Sequence, residues 1–331
     1  MTKSKLLNDQ QINHCLKVHY SIDIIKLLLL PIGADINACV FKADAKDQSS
    51  YFVKLRHGHH DEINVAIVEL LVQAGIQPII LPIKTNQRQS MVSIEGFHLI
   101  VYPFIEAQDG FSHPLTDKQW LKLGKALRQI HDLEVPIAIR GRLRKENYSP
   151  KFRQSLRSLY EQFNTLLLKD EIAEELFIYM KQEQKTILHL VDSAENLAQK
   201  ISSFNPKYGL CHSDIHGGNV LINSNDTLYI VDWDEPMMAP KERDLMFIGG
   251  GVGNVWNQPH EETLFYRGYG EVTVDKNILA YYRHERIVQD IAEYAEQLLL
   301  STAGGENRKI MFQHFMDMFA SRGVVEIALN S

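Results

Sequence analysis

One stretch constrains this chain more than any other: Cys211-His212-Ser213-Asp214-Ile215-His216-Gly217-Gly218-Asn219-Val220-Leu221-Ile222, followed shortly by Ile230-Val231-Asp232-Trp233-Asp234. An Asp and an Asn bracket four residues, two apolar runs come next, and an Asp closes the second run. Between the runs, Asn223-Ser224-Asn225-Asp226 has the polar composition of a tight turn joining antiparallel strands. Val220-Leu221-Ile222 and Leu228-Tyr229-Ile230-Val231 therefore read as a hairpin, and a hairpin returns its second end towards its first. The expected result is Asp232 beside Asn219, with Asp214 at the head of the loop that leads in.

Such a donor set suits a hard cation. Magnesium prefers octahedral oxygen ligation and usually takes one or two protein carboxylates, with phosphates and water completing the shell. In phosphoryl transfer by kinases, an Asp receives the proton of the acceptor hydroxyl, an Asn five positions on binds magnesium, and a later Asp binds it too. Asp214, Asn219 and Asp232 fit those roles in order. A lone Asp-x-x-x-x-Asn is a weak signal, but with the hairpin and the second acidic motif it predicts a phosphotransferase. A polar loop carrying three accidental acid or amide residues is the bland alternative.

At 331 residues the chain is long enough for two packed lobes, each with its own core. The net charge of −6 argues against a broad nucleic-acid surface and leaves room for a cationic substrate. Cys15, Cys39 and Cys211 are too few and too scattered for a disulfide framework or a zinc ribbon. Leu27-Leu28-Leu29-Leu30 runs into Pro31, and no apolar run approaches membrane-spanning length. The polar, Gln-rich stretch from Met1 to Lys17 lacks a signal-peptide core, so the expected location is the cytoplasm.

Local patterns divide the chain. Asn8 to Tyr20 reads as a short helix; Ile24–Ile32, Ala38–Lys42, Tyr51–Leu55, Gln89–Ile94 and Phe97–Tyr102 read as strands. A single helix, about Glu62 to Ala74, interrupts them before Gly75. Beyond Pro103 the texture turns helical, with Thr116–Leu133 capped by Thr116, then Ser149–Leu168, Ile172–Ile201 and further helices from about Asp275 onward. These patterns predict an α+β, bilobal, protein-kinase-like fold: a β-rich N-terminal lobe with one helix (residues 1–101), a hinge (102–108) and a larger, mostly helical C-terminal lobe (109–331). A cleft between lobes is the default place for a nucleotide.

Several residues suggest binding roles. Gly33-Ala34-Asp35-Ile36-Asn37 turns between two strands and can lay backbone N–H groups and the Asn37 amide over phosphates. With one glycine it is neither a Walker loop nor a multi-glycine kinase loop. Lys54 sits inside the apolar strand Tyr51–Leu55, where an inward ammonium needs a phosphate or carboxylate. Glu62 is the first candidate for its partner and Glu69 the second; an outward-facing lysine on an alternating strand is the plain alternative. Arg56-His57-Gly58-His59-His60 invites a metal reading, but without a distant Cys or His it fits a solvated loop better. His212 and His216 are expected to pack and hydrogen-bond the loop, and Asp244 to hold its backbone. Asp234 is a candidate second cation ligand or a turn cap. On the late helix Tyr281–Tyr294, Asp290 and Glu293, with Glu285 or Glu296 beside them, lie off the apolar stripe; such acids either grip ammonium groups or simply face water.

The loop from His212 to Leu221, with Ile230–Asp234 and Arg243–Leu245, resembles the aminoglycoside phosphotransferase and choline kinase-like family. That family's loop often reads His-Gly-Asp-x-x-x-x-Asn and its later motif Ile-Asp-Trp or Ile-Asp-Phe. The likeness extends through Gly33–Phe41, Lys54, Leu99–Ala107 and Tyr281–Leu298. Ser213 stands where the family often has Gly, Gly217 where Pro is common, and the Lys54–Glu62 spacing is shorter than in protein kinases. The resemblance implies ATP, with GTP a second candidate, and Mg2+. It implies Asp214 as base, Asn219 and Asp232 as metal ligands, Lys54 on the α/β-phosphates, and Tyr102, Pro103, Phe104 and Ile105 against the adenine. The acceptor it implies is a hydroxyl of a small cationic aminocyclitol antibiotic, phosphorylated by a monomer and so conferring resistance. Asp109, Asp234, Trp256, Glu285 and Asp290 are candidates for the acceptor wall. A metabolic kinase of homoserine, choline or methylthioribose is the rival of the same fold. A non-catalytic nucleotide-binding module is the rival of another class.

Overall fold

The computed structural model describes residues 7–30, 38–58, 62–204, 206–250, 252, 254–302, 304–305 and 307–331. Asn37, His59 and His60 lie outside the described residues. The chain divides into two compact units. The first comprises residues 1–108, 137–142 and 221–234; the second comprises 109–136, 143–220 and 235–331.

In the first unit, helix α1 (Asp9–Tyr20) begins at a capping box in which Asn8 and Gln11 satisfy each other's backbone N–H. Five strands follow: β1 (Ile24–Leu30), β2 (Ala38–Ala45), β3 (Ser50–His57), β4 (Val92–Ile94) and β5 (Phe97–Pro103), with helix α2 (Ile63–Gln73) between β3 and β4. They form one sheet in the order β1-β2-β3-β5-β4, antiparallel at each pairing. Alternation puts Phe41, Ala43, Val53, Leu55, Leu99 and Val101 on one face, where they pack with Ile12, Cys15 and Leu16 of α1. β4 is shorter than Gln89–Ile94 because the Thr85 hydroxyl accepts from the Gln87 and Gln89 N–H groups and folds that stretch into a turn.

A short strand, β6 (Ala107–Asp109), and a helical turn, α4 (Ile137–Arg140), are the remaining elements before the hairpin. The hairpin strands are β9 (Val220–Asn223) and β10 (Leu228–Ile230); β9 closes at Asn223, whose side chain accepts from the Asn225 and Thr227 N–H groups, and Asp226 adopts φ 57° in the turn. The second hairpin strand is tied to the rest of the unit where the Ile230 N–H donates to the Pro78 carbonyl.

The second unit is helical, built from α3 (Asp117–Asp132), α5 (Lys151–Gln162), α6 (Glu171–Gln182), α7 (Gln184–Ser202), α8 (Glu242–Leu245), α9 (Pro259–Tyr269), α10 (Lys276–Ala295), α11 (Asn307–Met318) and α12 (Val324–Leu329). A small sheet sets β11 (Met237–Ala239) between β7 (Arg144–Lys145), parallel, and β8 (Gly209–Cys211), antiparallel.

Three helical expectations change. Ser149–Leu168 stops at Gln162 and continues as a 3-10 turn that buries Phe163. Ile172–Ile201 breaks at Glu183 into α6 and α7. Helix α9 lies ahead of Asp275; its start signals, Pro259 at the first position and a capping box of Gln258 with Glu261, were there to read. The core gathers Leu156, Leu176, Met180, Ile187, Leu190, Ile287, Val288, Ile291 and Phe315. Helices α3 and α9 meet backbone to backbone at two glycines. A Cβ on Gly124 would lie 2.1 Å from the Phe265 carbonyl oxygen, and one on Gly268 2.1 Å from that of Leu121. Among the described residues no helix is long and apolar enough to cross a membrane.

Candidate active site

In the first unit the chemistry gathers where β3 faces the turn after β10. Lys54 Nζ lies 2.8 Å from Asp232 Oδ1 and 2.7 Å from Asp234 Oδ2, and Arg56 Nη1 lies 2.9 Å from the same Asp234 oxygen. Burial alone works against the Lys54 ammonium, but the two carboxylates outweigh it and hold its pKa above the ordinary value. Asp232 has φ 63°, a left-handed backbone unusual for a residue with a side chain. The Asn64 amide donates to the Asp234 carbonyl and the Trp233 indole to the Ile230 carbonyl, so both neighbours of Asp232 are tied down.

The expected partner of Lys54 is thus corrected. Glu62 is exposed ahead of α2, without a side-chain cap hydrogen bond, and Glu69 is paired with Lys84. The expected inward lysine is real, but its carboxylates come from the second acidic motif. Downstream of β5, the Phe104 N–H donates to the Ser50 carbonyl and the Lys42 ammonium sits 4.4 Å from the Phe104 ring centroid. Pro103 is exposed, Phe104 and Ile105 are half-buried, and burial pushes the Tyr102 phenol up to about 12. His57 packs edge-on against Phe97.

In the second unit the loop before β9 is held by a wholly buried acid. Asp244 accepts from the His212 N–H at 2.9 Å, the Ser213 N–H at 2.7 Å and His131 Nε2 at 3.0 Å. The other ring nitrogen of His131 meets the Tyr269 hydroxyl at 2.7 Å. Burial would raise the Asp244 carboxyl, yet these partners keep it below the usual range. Cys211 lies in the same cluster, its thiol pushed well up by burial. The expected backbone anchor is therefore present, extended by His131 and Tyr269. Ser213 takes φ 74° and its hydroxyl donates to the Glu235 carbonyl, the strain that a glycine would relieve at this position.

Asp214 projects from this loop with its side chain 39% exposed. Arg286 Nη1 lies 2.6 Å from Oδ1, and His216 Nε2 lies 3.4 Å from Oδ2. Burial alone would raise this carboxyl, but Arg286 and then His216 outweigh it and hold it far below the usual carboxylate range. The Asn219 amide nitrogen donates to the Asp214 carbonyl at 2.8 Å, which commits the NH2 group and leaves Oδ1 as the donor atom for a cation. Gly217 and Gly218 are needed by close approach: a Cβ on Gly217 would lie 3.0 Å from the Gly110 carbonyl carbon, and one on Gly218 2.9 Å from the Phe111 ring. That ring stacks on His216 at 5.3 Å.

The remaining acceptor-wall candidates are placed otherwise than expected. Asp109 caps its own turn, accepting from the Phe111 and Ser112 N–H groups and the Ser112 hydroxyl. Trp256 is 3% exposed and packs edge-on against Trp120. Glu285 is buried in an ion pair with Arg153, and Asp290 holds Arg286 at 2.9 Å. Asp234 stays in the Lys54 cluster. The acids of α10 are therefore neither an ammonium grip nor a wet face, except Glu293, which is exposed and accepts from Gln289. Arg286, Phe111 and Arg153 escaped notice. The i,i+4 spacing of Arg286 and Asp290 was visible, but nothing local points from Arg286 to a loop 72 residues earlier.

Lysine-held carboxylates after one hairpin strand and a loop Asp with an Asn five positions on are the furniture of phosphoryl transfer. The chain belongs to the phosphotransferase enzyme family (APH), whose model matches residues 29–276. It is a phosphotransferase with a mixed, protein-kinase-like fold. Spectinomycin phosphotransferase APH(9)-Ia, solved with ADP and spectinomycin, is 50% identical over 98% of both chains with a TM-score of 0.92; its AMP complex gives 48%, 98% of this chain, 99% of that one and 0.87. Amicoumacin kinase hAmiN, solved with AMP-PNP, Ca2+ and Ami, has the same fold at 16% identity, covering 96% of this chain and 95% of that one, TM-score 0.64. An uncharacterized protein of Metamycoplasma hominis is 30% identical over 92 residues, which are 28% of this chain and 17% of that protein.

Proposed function

We propose that this protein transfers the γ-phosphoryl group of ATP to a hydroxyl of spectinomycin, and so confers resistance to it. The observation that carries this reading is the 50% identity, over 98% of both chains, with a spectinomycin phosphotransferase solved with ADP and the drug. Asp214, Asn219 and Asp232 supply the donors such a transfer uses.

Asp214 orients the acceptor hydroxyl and takes its proton. A carboxylate held far below its usual pKa is a weak base, which suits a reaction whose transition state asks mainly for positioning and charge neutralisation. Lys54 provides a fixed positive charge for the α/β-phosphates, exchanging a carboxylate for a phosphate oxygen. Phe104 and its neighbours in 103–105 offer backbone groups to the adenine. The donor chemistry fits magnesium: Asp232 is 46% exposed and already attracts a cation, and Asn219 has an amide oxygen to give. When bound, magnesium supplies charge neutralisation on the phosphates. The cytoplasm, where ATP is made, is the proposed location, and a monomer the proposed state.

The test is ADP release from magnesium-ATP with spectinomycin, aminoglycosides, choline, homoserine and methylthioribose, using Asp214→Ala as control. Turnover with spectinomycin that drops by about a thousandfold in the variant is the expected outcome. Turnover only with a metabolite moves the protein into metabolism; nucleotide binding without turnover leaves a binding module.

A further inference from the structure

Among the described residues, Arg286 is the one strong cation on Asp214. It reaches across from α10, a helix buried through Ile287, Val288 and Ile291, and its fork is held from behind by Asp290 Oδ1 at 2.9 Å. Its guanidinium carbon lies 5.8 Å from the Phe247 ring centroid. With side-chain exposures of 17% for Arg286 and 16% for Asp290, this arm is set before any ligand arrives. It touches only Oδ1 of Asp214. On the other oxygen, His216 presents Nε2, and it does so as N–H because its Nδ1 accepts from the Gly218 N–H at 3.1 Å. A carboxylate offers about four lone-pair sites, so a hydroxyl still finds a place on Oδ2.

We propose that Arg286 is a positioning residue: by gripping Oδ1 it fixes the Asp214 carboxylate and sets a guanidinium against it, so that Oδ2 receives a neutral hydroxyl rather than an ammonium of the acceptor. The inference rests on the reading of Asp214 as base and of a cationic aminocyclitol as acceptor. An acceptor carrying both ammonium and hydroxyl groups can dock on a bare aspartate through either. Charge favours the ammonium, and that docking puts the wrong atom in line with the phosphate. Arg286 is shared between Asp214 and Asp290, but its guanidinium lies directly on Asp214 and opposes a second cation there, whereas a hydroxyl donates to Oδ2 without penalty. Of the other charges nearby, Asp290 sits behind Arg286 and Glu293 lies beyond it on the same helix.

The experiment is steady-state kinetics with ATP and spectinomycin on wild type, Arg286→Gln, Arg286→Lys and Asp214→Ala, with thermal melts of each. In the Gln variant, Asp214 and Asp290 both lose their cation, so the drug binds as well or better but in unproductive registers. The expected result is a kcat lower by about 30- to 100-fold with KM for spectinomycin unchanged or reduced, and partial recovery of kcat in the Lys variant. A Gln kcat within about threefold of wild type overturns the proposal, as does a raised KM at unchanged kcat. If the Gln variant does not melt cooperatively, the Lys variant decides: kcat lowered by about three- to tenfold at a wild-type melting temperature supports the fork's role, and an unchanged kcat overturns it. Turnover retained in Asp214→Ala, or no turnover of spectinomycin by wild type, sinks the underlying reading as well, whatever the Arg286 variants do.

Discussion

Around Lys54 two cations meet two carboxylates at the end of a strand and on a turn, with Asp232 46% exposed. Around Asp214 the side chain is almost as open, yet the backbone beneath it is fastened to Asp244, which has no exposure at all. On the proposed reading the first cluster is made of exchangeable partners: a phosphate oxygen takes the place of a carboxylate at Lys54. The second is a projecting group on a fixed mount, because a transferred phosphoryl group tolerates little error in the line of attack.

Removing the mount is the sharpest way to break that contrast. Asp244→Ala leaves two backbone N–H groups and His131 Nε2 unpaired in the interior and is expected to cost about 3–5 kcal/mol, read by urea denaturation. A loss below about 1 kcal/mol makes the mount an ornament. Gly124→Ala attacks the same support from further away: its methyl group meets the Phe265 carbonyl, and a loss of about 3 kcal/mol is expected by the same measurement. On the exchangeable side, Lys54→Met is expected to raise KM for ATP by about tenfold or more, with KM for spectinomycin and the melting temperature nearly unchanged. Equal rises in both KM values merge the two clusters into one.

The smallest effect concerns Glu285, whose carboxyl burial pushes up to about 7 against the pull of Arg153. Its folded pKa lies above the unfolded value, so the folded protein holds this proton more tightly. The stabilisation is full below about pH 4.5 and is lost as pH rises through about 7. Wild type is expected to lose about 2 °C of melting temperature relative to Glu285→Gln between pH 5 and pH 8.5. A constant difference across that range removes Glu285 as the titrating group.

What the sequence disclosed follows the same divide. Asp214, Asn219 and Asp232 were legible because turn chemistry and strand length fix their spacing within 20 residues, and Asp244 because its motif follows directly. The partner of Lys54 was misassigned because two acids stood near it in sequence, while the real pair arrives through a turn 178 residues on. The acids of α10 were read from helical spacing alone, which cannot show that Arg153 comes to Glu285 from another helix, 132 residues away. Trp256 looked like a wall because nothing local told that Trp120 covers it.

The glycine crossing of α3 and α9 reaches further than its own two residues. His131 sits near the end of α3 and Tyr269 at the end of α9, so their hydrogen bond spans two helices whose backbones meet at the glycine crossing. At that point no glycine side chain can change rotamer, which leaves the crossing little slack to take up as the protein warms. The spacing between ring and hydroxyl is set by atomic radii, which do not anneal, soften or creep. The loop above is accordingly expected to keep its alignment up to the temperature at which the whole lobe melts, failing abruptly rather than by degrees.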